Sequence, residues 1–132
     1  MERRRSSGIG LAWLLAALFA CAGCEERGFI EYGAGIIPSQ GKTPIAWIRA
    51  QPGEYAGKMI KVEGLVTPAP HRPGTLLHVG DSSGSLLVDL RPAGFAVPVD
   101  ECRGRRGFAT GTVRVEDGQP RLEADGLRIL LN

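Results

Sequence analysis

The side chains in this sequence that could carry out chemistry are two histidines and a short turn rich in serine. His71 lies in a proline-rich stretch and His78 in an apolar one, and neither has a carboxylate at metal-ligand spacing. His78, Asp81 and Ser83 include the residue types of a hydrolytic triad. Such trios occur in many serine-rich turns, so we interpret Asp81–Gly84 as a turn. The sequence therefore predicts no catalytic residue, no metal site and no cofactor.

A cluster of positive charge lies in the second half of the sequence. It consists of Arg103, Arg105 and Arg106, with Phe108 just beyond it. Guanidinium groups beside an aromatic ring suit the phosphates of nucleic acid or of lipid headgroups. A solvated edge between a loop and a strand is the simpler alternative, because short charge runs commonly face water. We take these four residues as candidate ligand-binding positions.

Alternating apolar and polar residues predict that these positions belong to a small, mainly β domain. Five strands are expected, at Lys58–Thr67, Thr75–Asp81, Ser85–Leu90, Gly107–Asp117 and Arg121–Leu131. A short helix precedes them, with Thr43 as its N-cap and Pro44 at its first position. The longest interruption follows the third strand, which matches a five-stranded OB-fold barrel better than an SH3-like barrel. Gly126 is expected to mark a bulge in the last strand.

Four short motifs resemble those of exported bacterial OB-fold domains, which are related in pattern to the anticodon-binding type of OB domain. The motifs are Tyr-x-Gly-Lys from Tyr55, Val-x-Gly-x-Val from Val62, Asp-x-x-Gly from Asp81 and Leu-Glu-Ala from Leu122. The resemblance covers Pro52–Leu131, which is most of the chain. It implies a barrel that works by binding, and it implies no particular ligand, because this fold hosts many.

The outward side chains of the second and third predicted strands form a candidate binding face. Leu76, His78 and Leu87 point outward if their neighbours fill the barrel. An exposed aliphatic stripe suits a protein or peptide partner, although the helix with Trp47 would cover it. Single-stranded nucleic acid is the alternative ligand, since OB barrels commonly bind it on these strands. The two strands contain no aromatic residue and carry two aspartates, which disfavours that alternative.

The beginning of the chain has the layout of a bacterial export signal. Arg3–Arg5 precede an apolar run too short for a membrane span, and small residues follow it. Cys24 follows an Ala-Gly pair and resembles the lipidated cysteine of a lipoprotein; Cys21 is the alternative, and a plain secretory signal is the simpler reading. A signal of 23 residues takes with it three of the 16 basic residues and one of the 14 acidic ones. The mature protein then has no net charge, which weakens the case for a polyanion ligand.

Three regions are therefore expected: a signal at 1–23, a tether at 24–42 and an OB-fold domain at 43–132. Glycines and a proline predict the tether, although Phe29 and Ile30 are apolar enough to dock on the domain. Cys102 is expected to be a small, partly buried apolar residue. We expect a non-enzymatic, lipid-anchored binding module of the bacterial envelope, at the outer membrane and facing the periplasm. Its expected partner is a protein, a glycan or a polyanion.

Overall fold

The computed structural model describes residues 28–131. The strands are β1 Phe29–Gly33, β2 Met59–Pro68, β3 Leu76–Asp81, β4 Gly84–Asp89, β5 Arg106–Glu116 and β6 Gln119–Leu130. The helices are α1 Ile45–Ala50, α2 Pro52–Tyr55 and α3 Val99–Cys102. The five predicted strands are present as β2 to β6, and their ends differ from the prediction by two residues or fewer.

Strands β2 to β6 close into a barrel. β2, β3 and β4 pair in antiparallel order, and β4 then pairs in parallel with β6. β6 pairs antiparallel with β5, and β5 returns to β2. Such closure leaves the barrel strands without long free edges. With a helical turn between its third and fourth strands, this is the five-stranded OB fold, so the predicted fold class is confirmed.

Inward-facing aliphatic side chains fill the barrel and also bury one side of α1. Ile45 and Ile48 of this helix are fully buried in the same cluster as Leu77, Leu122 and Leu127. A helix of six residues has little stability of its own. Burial of each large aliphatic side chain contributes about 1.5–3 kcal/mol. Packing on the barrel therefore stabilises α1, and the two form one core.

The chain before α1 includes a strand that the sequence analysis assigned to the tether. Residues 29–33 form β1, which pairs antiparallel with the C-terminal half of β6. Ile30 and Tyr32 are half-buried, and the alternate residues Phe29, Glu31 and Gly33 are exposed. The Tyr32 hydroxyl donates to the Glu101 carboxylate, which joins β1 to α3. Burial, together with that hydrogen bond and charge, raises the pKa of Tyr32 to about 12. For these residues the predicted tether is corrected to a sheet strand.

Residues 34–43, here called the strap, cross the outer surface of β6, β5 and β2. The Ala34 amide donates to the Asp125 carbonyl at 2.7 Å. The Gly35 carbonyl oxygen lies so close to Gly126 that a Cβ there would be 2.0 Å from it. The register of β5 and β6 shifts beside Gly126, as the expected bulge requires. The strap is thus held on the barrel, which corrects a further part of the predicted tether.

The start of α1 differs from the sequence-based expectation. The N-cap residue is Pro44, whose side chain makes no hydrogen bond to the helix. The predicted N-cap, Thr43, is therefore wrong. Its amide donates to the Lys61 carbonyl at 2.8 Å, so this residue ends the strap on β2 instead of starting the helix.

The turn between β3 and β4 supplies the cap instead. The Asp81 carboxylate accepts a hydrogen bond from the Ile45 amide at 3.2 Å, and the Ser83 hydroxyl accepts one from the Ala46 amide at 2.9 Å. The first amides of a helix have no partner within it, so acceptors must come from elsewhere. The turn thereby fixes α1 over the end of the barrel.

Candidate functional site

A groove of about 530 Å³ runs between the strap, β2 and the first residue of β5. We call it the outer groove; it is lined by Lys42, Glu63, Leu65, Gly80, Asp81 and Arg106, among others. The strand register creates it, because Leu65 lies opposite Gly80 on β3 and opposite Arg106 on β5. Gly80 has no side chain to fill the space beside Leu65. The Leu65 side chain is 50% exposed and provides an apolar floor.

The Glu63 carboxylate of the outer groove interacts with two cations. The Lys42 ammonium bonds to one of its oxygens, and the Arg106 guanidinium lies 3.6 Å from the other. Both basic side chains are more than half exposed, whereas Glu63 is mostly covered. Ion pairs in contact with water contribute little to stability. A ligand carboxylate can therefore recruit Lys42 and Arg106 at small cost to the fold.

A second pocket of about 430 Å³ continues the outer groove beneath the strap and shares Lys42 and Glu63 with it. We call it the strap pocket; its other walls include Gln40, Lys61, Phe108 and Arg128. Lys61 points outward from β2 but is only 5% exposed. Its ammonium donates to the Ile37 carbonyl at 3.3 Å and lies 5.7 Å from the centre of the Phe108 ring.

Arg128 forms the wall of the strap pocket that faces β1. Its Nε donates to the Glu31 carboxylate at 2.8 Å, and its guanidinium carbon lies 4.2 Å from the centre of the Phe29 ring. A guanidinium over an aromatic face is attracted by the ring. These contacts fix Arg128 in place and attach β1 to β6.

The structure divides the predicted cluster of three arginines and a phenylalanine. Arg106 lies in the outer groove and Phe108 in the strap pocket. Arg103 is exposed in the turn after α3, and Arg105 is half-buried just before β5. These two arginines line neither the groove nor the pocket.

The predicted exposure of Leu76 is wrong, because this residue is 8% exposed. The loop before it folds back over the start of β3. The Leu76 amide donates to the Arg72 carbonyl at 2.9 Å, and the Leu76 carbonyl accepts from the Ala69 amide at the same distance. The aliphatic stripe is therefore interrupted at its first residue.

His78 and Leu87 lie opposite each other on β3 and β4 and are half-buried. They line a surface pocket of about 550 Å³ together with Arg49 of α1. Trp47, which was expected to cover this face, is 61% exposed. The side of α1 that packs on the barrel carries Ile45 and Ile48 instead, since Trp47 falls between them on the helix.

The side chains of Asp81 and Ser83 take part in the turn. The amides of Ser83 and Gly84 donate to Asp81 Oδ1 at 2.8 and 3.1 Å. Burial acts to raise the pKa of Asp81, but hydrogen bonds from Ser83, Ile45 and Gly84 outweigh it and hold this pKa below its usual range. Among the described residues no hydrogen bond joins His78 to either side chain. The structure therefore supports the interpretation of Asp81–Gly84 as a turn.

The remaining sequence-based candidates give no chemical site among the described residues. Cys102 is fully buried, and burial raises the pKa of its thiol, as suits a small apolar residue. Within residues 28–131, no group of three or more His, Cys, Asp or Glu side chains is placed to hold a metal ion. In the same range no helix has the length and apolar character needed to cross a membrane. The lipidation candidates Cys24 and Cys21 lie outside the described residues.

Sequence reasoning missed the residues that line most of both sites. Strand alternation identifies Lys61, Glu63 and Leu65 only as outward-facing. Lys42 and Gln40 belong to the segment that was assigned to the tether. In the predicted barrel β2 pairs with β5, and this pairing places the outward residues of β2 beside Arg106 and Phe108. The predicted fold therefore contained the signal that could have found the site.

The closed five-stranded barrel defines the chain as an OB-fold domain. No family model matches the sequence, and no curated protein matches it. Among solved structures it is similar to the "hypothetical protein ygiW from E. coli", with 17% identity, a TM-score of 0.48 and coverage of 70% of this chain and 92% of that one. It is also similar to a "putative aspartyl-tRNA synthetase from Leishmania major Friedlin", with 14% identity and a TM-score of 0.50. That match covers 73% of this chain but 22% of the synthetase chain, and it concerns the fold alone.

Proposed function

We propose that this protein is a non-enzymatic binding module of the bacterial cell envelope that holds its ligand in the outer groove. The outer groove is the observation that carries the proposal. Four cations line the groove and the strap pocket (Lys42, Lys61, Arg106 and Arg128), against the carboxylates of Glu63 and Asp81 and that of Glu31, which pairs with Arg128. The chain that remains after removal of the proposed signal has no net charge, so this excess of positive charge is local. It favours a ligand that carries carboxylate groups, from a protein, a glycan or another polyanion.

The apolar floor of the outer groove adds affinity to this electrostatic attraction. Leu65 is 50% exposed and lines the same groove as Lys42 and Arg106. Exposed apolar surface rimmed by charge is typical of sites that bind another molecule. Transfer of Leu65 from water to a ligand surface is favourable, and the surrounding charges orient the ligand.

Reversal of charge at Arg106 tests the proposed function. Full-length Arg106→Glu, presented to envelope extract in detergent, is expected to capture its principal ligand at least about tenfold less than the unchanged protein. The full chain is needed, because a fragment limited to the predicted domain at 43–132 would lack β1 and most of the strap. Captured material is identified and quantified by mass spectrometry.

Arg103→Glu is the matched control, because it makes the same charge change three residues away and outside the groove. We expect it to capture the ligand as the unchanged protein does. Equal losses of ligand capture in both variants would show a nonspecific charge effect. Unchanged ligand capture by Arg106→Glu would show that the ligand does not bind in the outer groove.

Single-stranded nucleic acid is the second candidate ligand, and one observation favours it. Phe108 lies between Lys61 and the outer groove, and cations beside an aromatic ring are what base stacking and phosphate contact require. A salt titration with a single-stranded oligonucleotide separates the two candidates. Affinity that falls steeply with salt, and that Arg106→Glu reduces, would favour nucleic acid over the envelope ligand.

A lipid at Cys24 is the proposed anchor, at the outer membrane and facing the periplasm. The export-signal layout before it supports this proposal, and several acyl chains hold a protein at a bilayer more firmly than one. The intact mass of the native protein tests it. The expected mass is that of residues 24–132 plus acyl groups, and an unmodified mass would exclude the anchor.

A further inference from the structure

The strap pocket contains a charged side chain without a counter-ion. Lys61 is 5% exposed, and its one hydrogen bond among the described residues goes to the Ile37 carbonyl. Within residues 28–131, no carboxylate oxygen lies within 4.0 Å of its ammonium, and the neighbouring Glu63 pairs with Lys42 and Arg106. A buried ammonium without a negative partner is costly. The ammonium has three protons, and among the described residues the Ile37 carbonyl accepts one of them.

The same pocket contains a polar atom that lacks a partner. The side-chain oxygen of Gln40 is buried and accepts no hydrogen bond from any described residue. Buried polar atoms in folded proteins nearly always have a partner. The strap pocket therefore has a positive donor at Lys61, whereas the Gln40 oxygen has almost no accessible surface and meets a ligand only if the Gln40 side chain rotates into the pocket.

The remaining walls limit the ligand to a small molecule or one unit of a chain. Phe108, Ile36 and Pro38 provide apolar surface, and the whole pocket has a volume of about 430 Å³. Glu63 contributes a second acceptor at the mouth. Among the described residues Lys61 is the cation of this pocket that has no carboxylate partner, since Lys42 pairs with Glu63 and Arg128 with Glu31, so one anionic group is sufficient.

We propose that the strap pocket binds a small carboxylate that carries several hydroxyl groups, of the chemical class of a uronic acid. The carboxylate pairs with Lys61 inside the pocket and with Lys42 at its mouth. The hydroxyl groups donate to Glu63 and, once the Gln40 side chain rotates into the pocket, to its side-chain oxygen. The C–H groups of the ring contact Phe108. This inference rests on the proposed function and names the ligand class for one end of the same groove.

Calorimetric measurement of glucuronate binding to the full-length protein in detergent tests the inference. We expect saturable binding that is at least about tenfold tighter than that of glucose, because a hydrogen-bonded charge pair forms only with the acid. Acetate and an acetylated dipeptide with a free carboxylate are expected to bind at least about tenfold more weakly than glucuronate, because they lack the hydroxyl donors. Failure of glucuronate to saturate, or tighter binding of the dipeptide, would overturn the inference.

Lys61→Met removes the ammonium and keeps most of the buried stem. It is expected to weaken glucuronate binding at least about tenfold while leaving the urea midpoint unchanged or higher, since a buried unpaired charge is replaced by an apolar group. Lys58→Met, at an exposed position outside the pocket, should bind as the unchanged protein does. Normal binding by Lys61→Met would overturn the inference. If glucuronate does not bind while Arg106→Glu still loses ligand capture, the sugar-acid assignment is wrong and the proposed function stands. If glucuronate does not bind and Arg106→Glu also retains ligand capture, both the sugar-acid assignment and the proposed function are wrong.

Discussion

Gly111→Ala is expected to destabilise the barrel by at least about 2 kcal/mol, which for a domain of this size lowers the melting temperature by on the order of 10 °C. A Cβ at Gly111 would lie 2.1 Å from the Glu123 carbonyl oxygen and 2.6 Å from the Ala124 Cα. Both atoms belong to the backbone of β6, so no side chain can rotate away to make room. One of the two longest strands must shift, and the closure of the barrel depends on both.

Gly53→Ala is the matched control for this change. A Cβ at Gly53 would meet nothing within 4 Å, and the residue lies in α2, where alanine is favoured over glycine. We expect its urea midpoint to equal or exceed that of the unchanged protein. If Gly111→Ala unfolds at the same urea concentration as Gly53→Ala, then β5 and β6 do not approach each other as described.

Asp81→Ala is expected to cost about 2 kcal/mol, because it removes the acceptor that serves both the turn and α1. Asp81 accepts hydrogen bonds from the Ile45 amide and from the amides of Ser83 and Gly84. Without the carboxylate, these three donors lose their partner, and the N-terminus of α1 depends on Ser83 alone. Urea denaturation measures the loss. Ser82→Ala, an exposed change in the same turn, is expected to leave the midpoint unchanged.

Acid should weaken the same contact in the unchanged protein. Because the pKa of Asp81 is held below its usual range, protonation of this carboxyl favours the unfolded chain. Its contribution is complete above the ordinary aspartate pKa of about 4 and is lost as the pH falls through the lower pKa of the folded state. Hydrogen bonds from Arg91 lower the pKa of Asp89, which adds acid sensitivity in the same range. Asp81→Asn should lose stability less steeply below about pH 4 than the unchanged protein; an identical pH profile would contradict this role.

The barrel was predictable because its information is local. Alternation in β2 and the Asp-Gly pair at 117–118 identify strands and a turn from neighbouring residues alone. Asp117 and Gly118 both have positive φ, 53° and 77°, as a tight hairpin turn requires. The interruption after β4 then specified the strand order. Each of these features can be recognised from residues that follow one another in the sequence.

The strap and the cap of α1 depend on contacts that are distant in sequence. β1 is five residues long and pairs with a strand almost a hundred residues away, so its glycine-rich surroundings favoured a tether. The local sequence favours Thr43 as the N-cap, but the Thr43 amide donates to β2 and Asp81 caps the helix instead. Lys61 occupies one of the outward-facing, polar positions of β2, and it is buried because the strap covers it. The candidate site therefore required the fold before it could be recognised.

Photo-crosslinking in cells that express the protein tests most directly whether the outer groove binds a ligand. A photoreactive phenylalanine analogue replaces either Leu65, which is 50% exposed on the groove floor, or Val115, which is 38% exposed on β5 outside both sites. The account predicts that irradiation joins a discrete ligand to the Leu65 position and little or nothing to the Val115 position. Equal crosslinking at the two positions, or none at Leu65, would contradict binding in the outer groove.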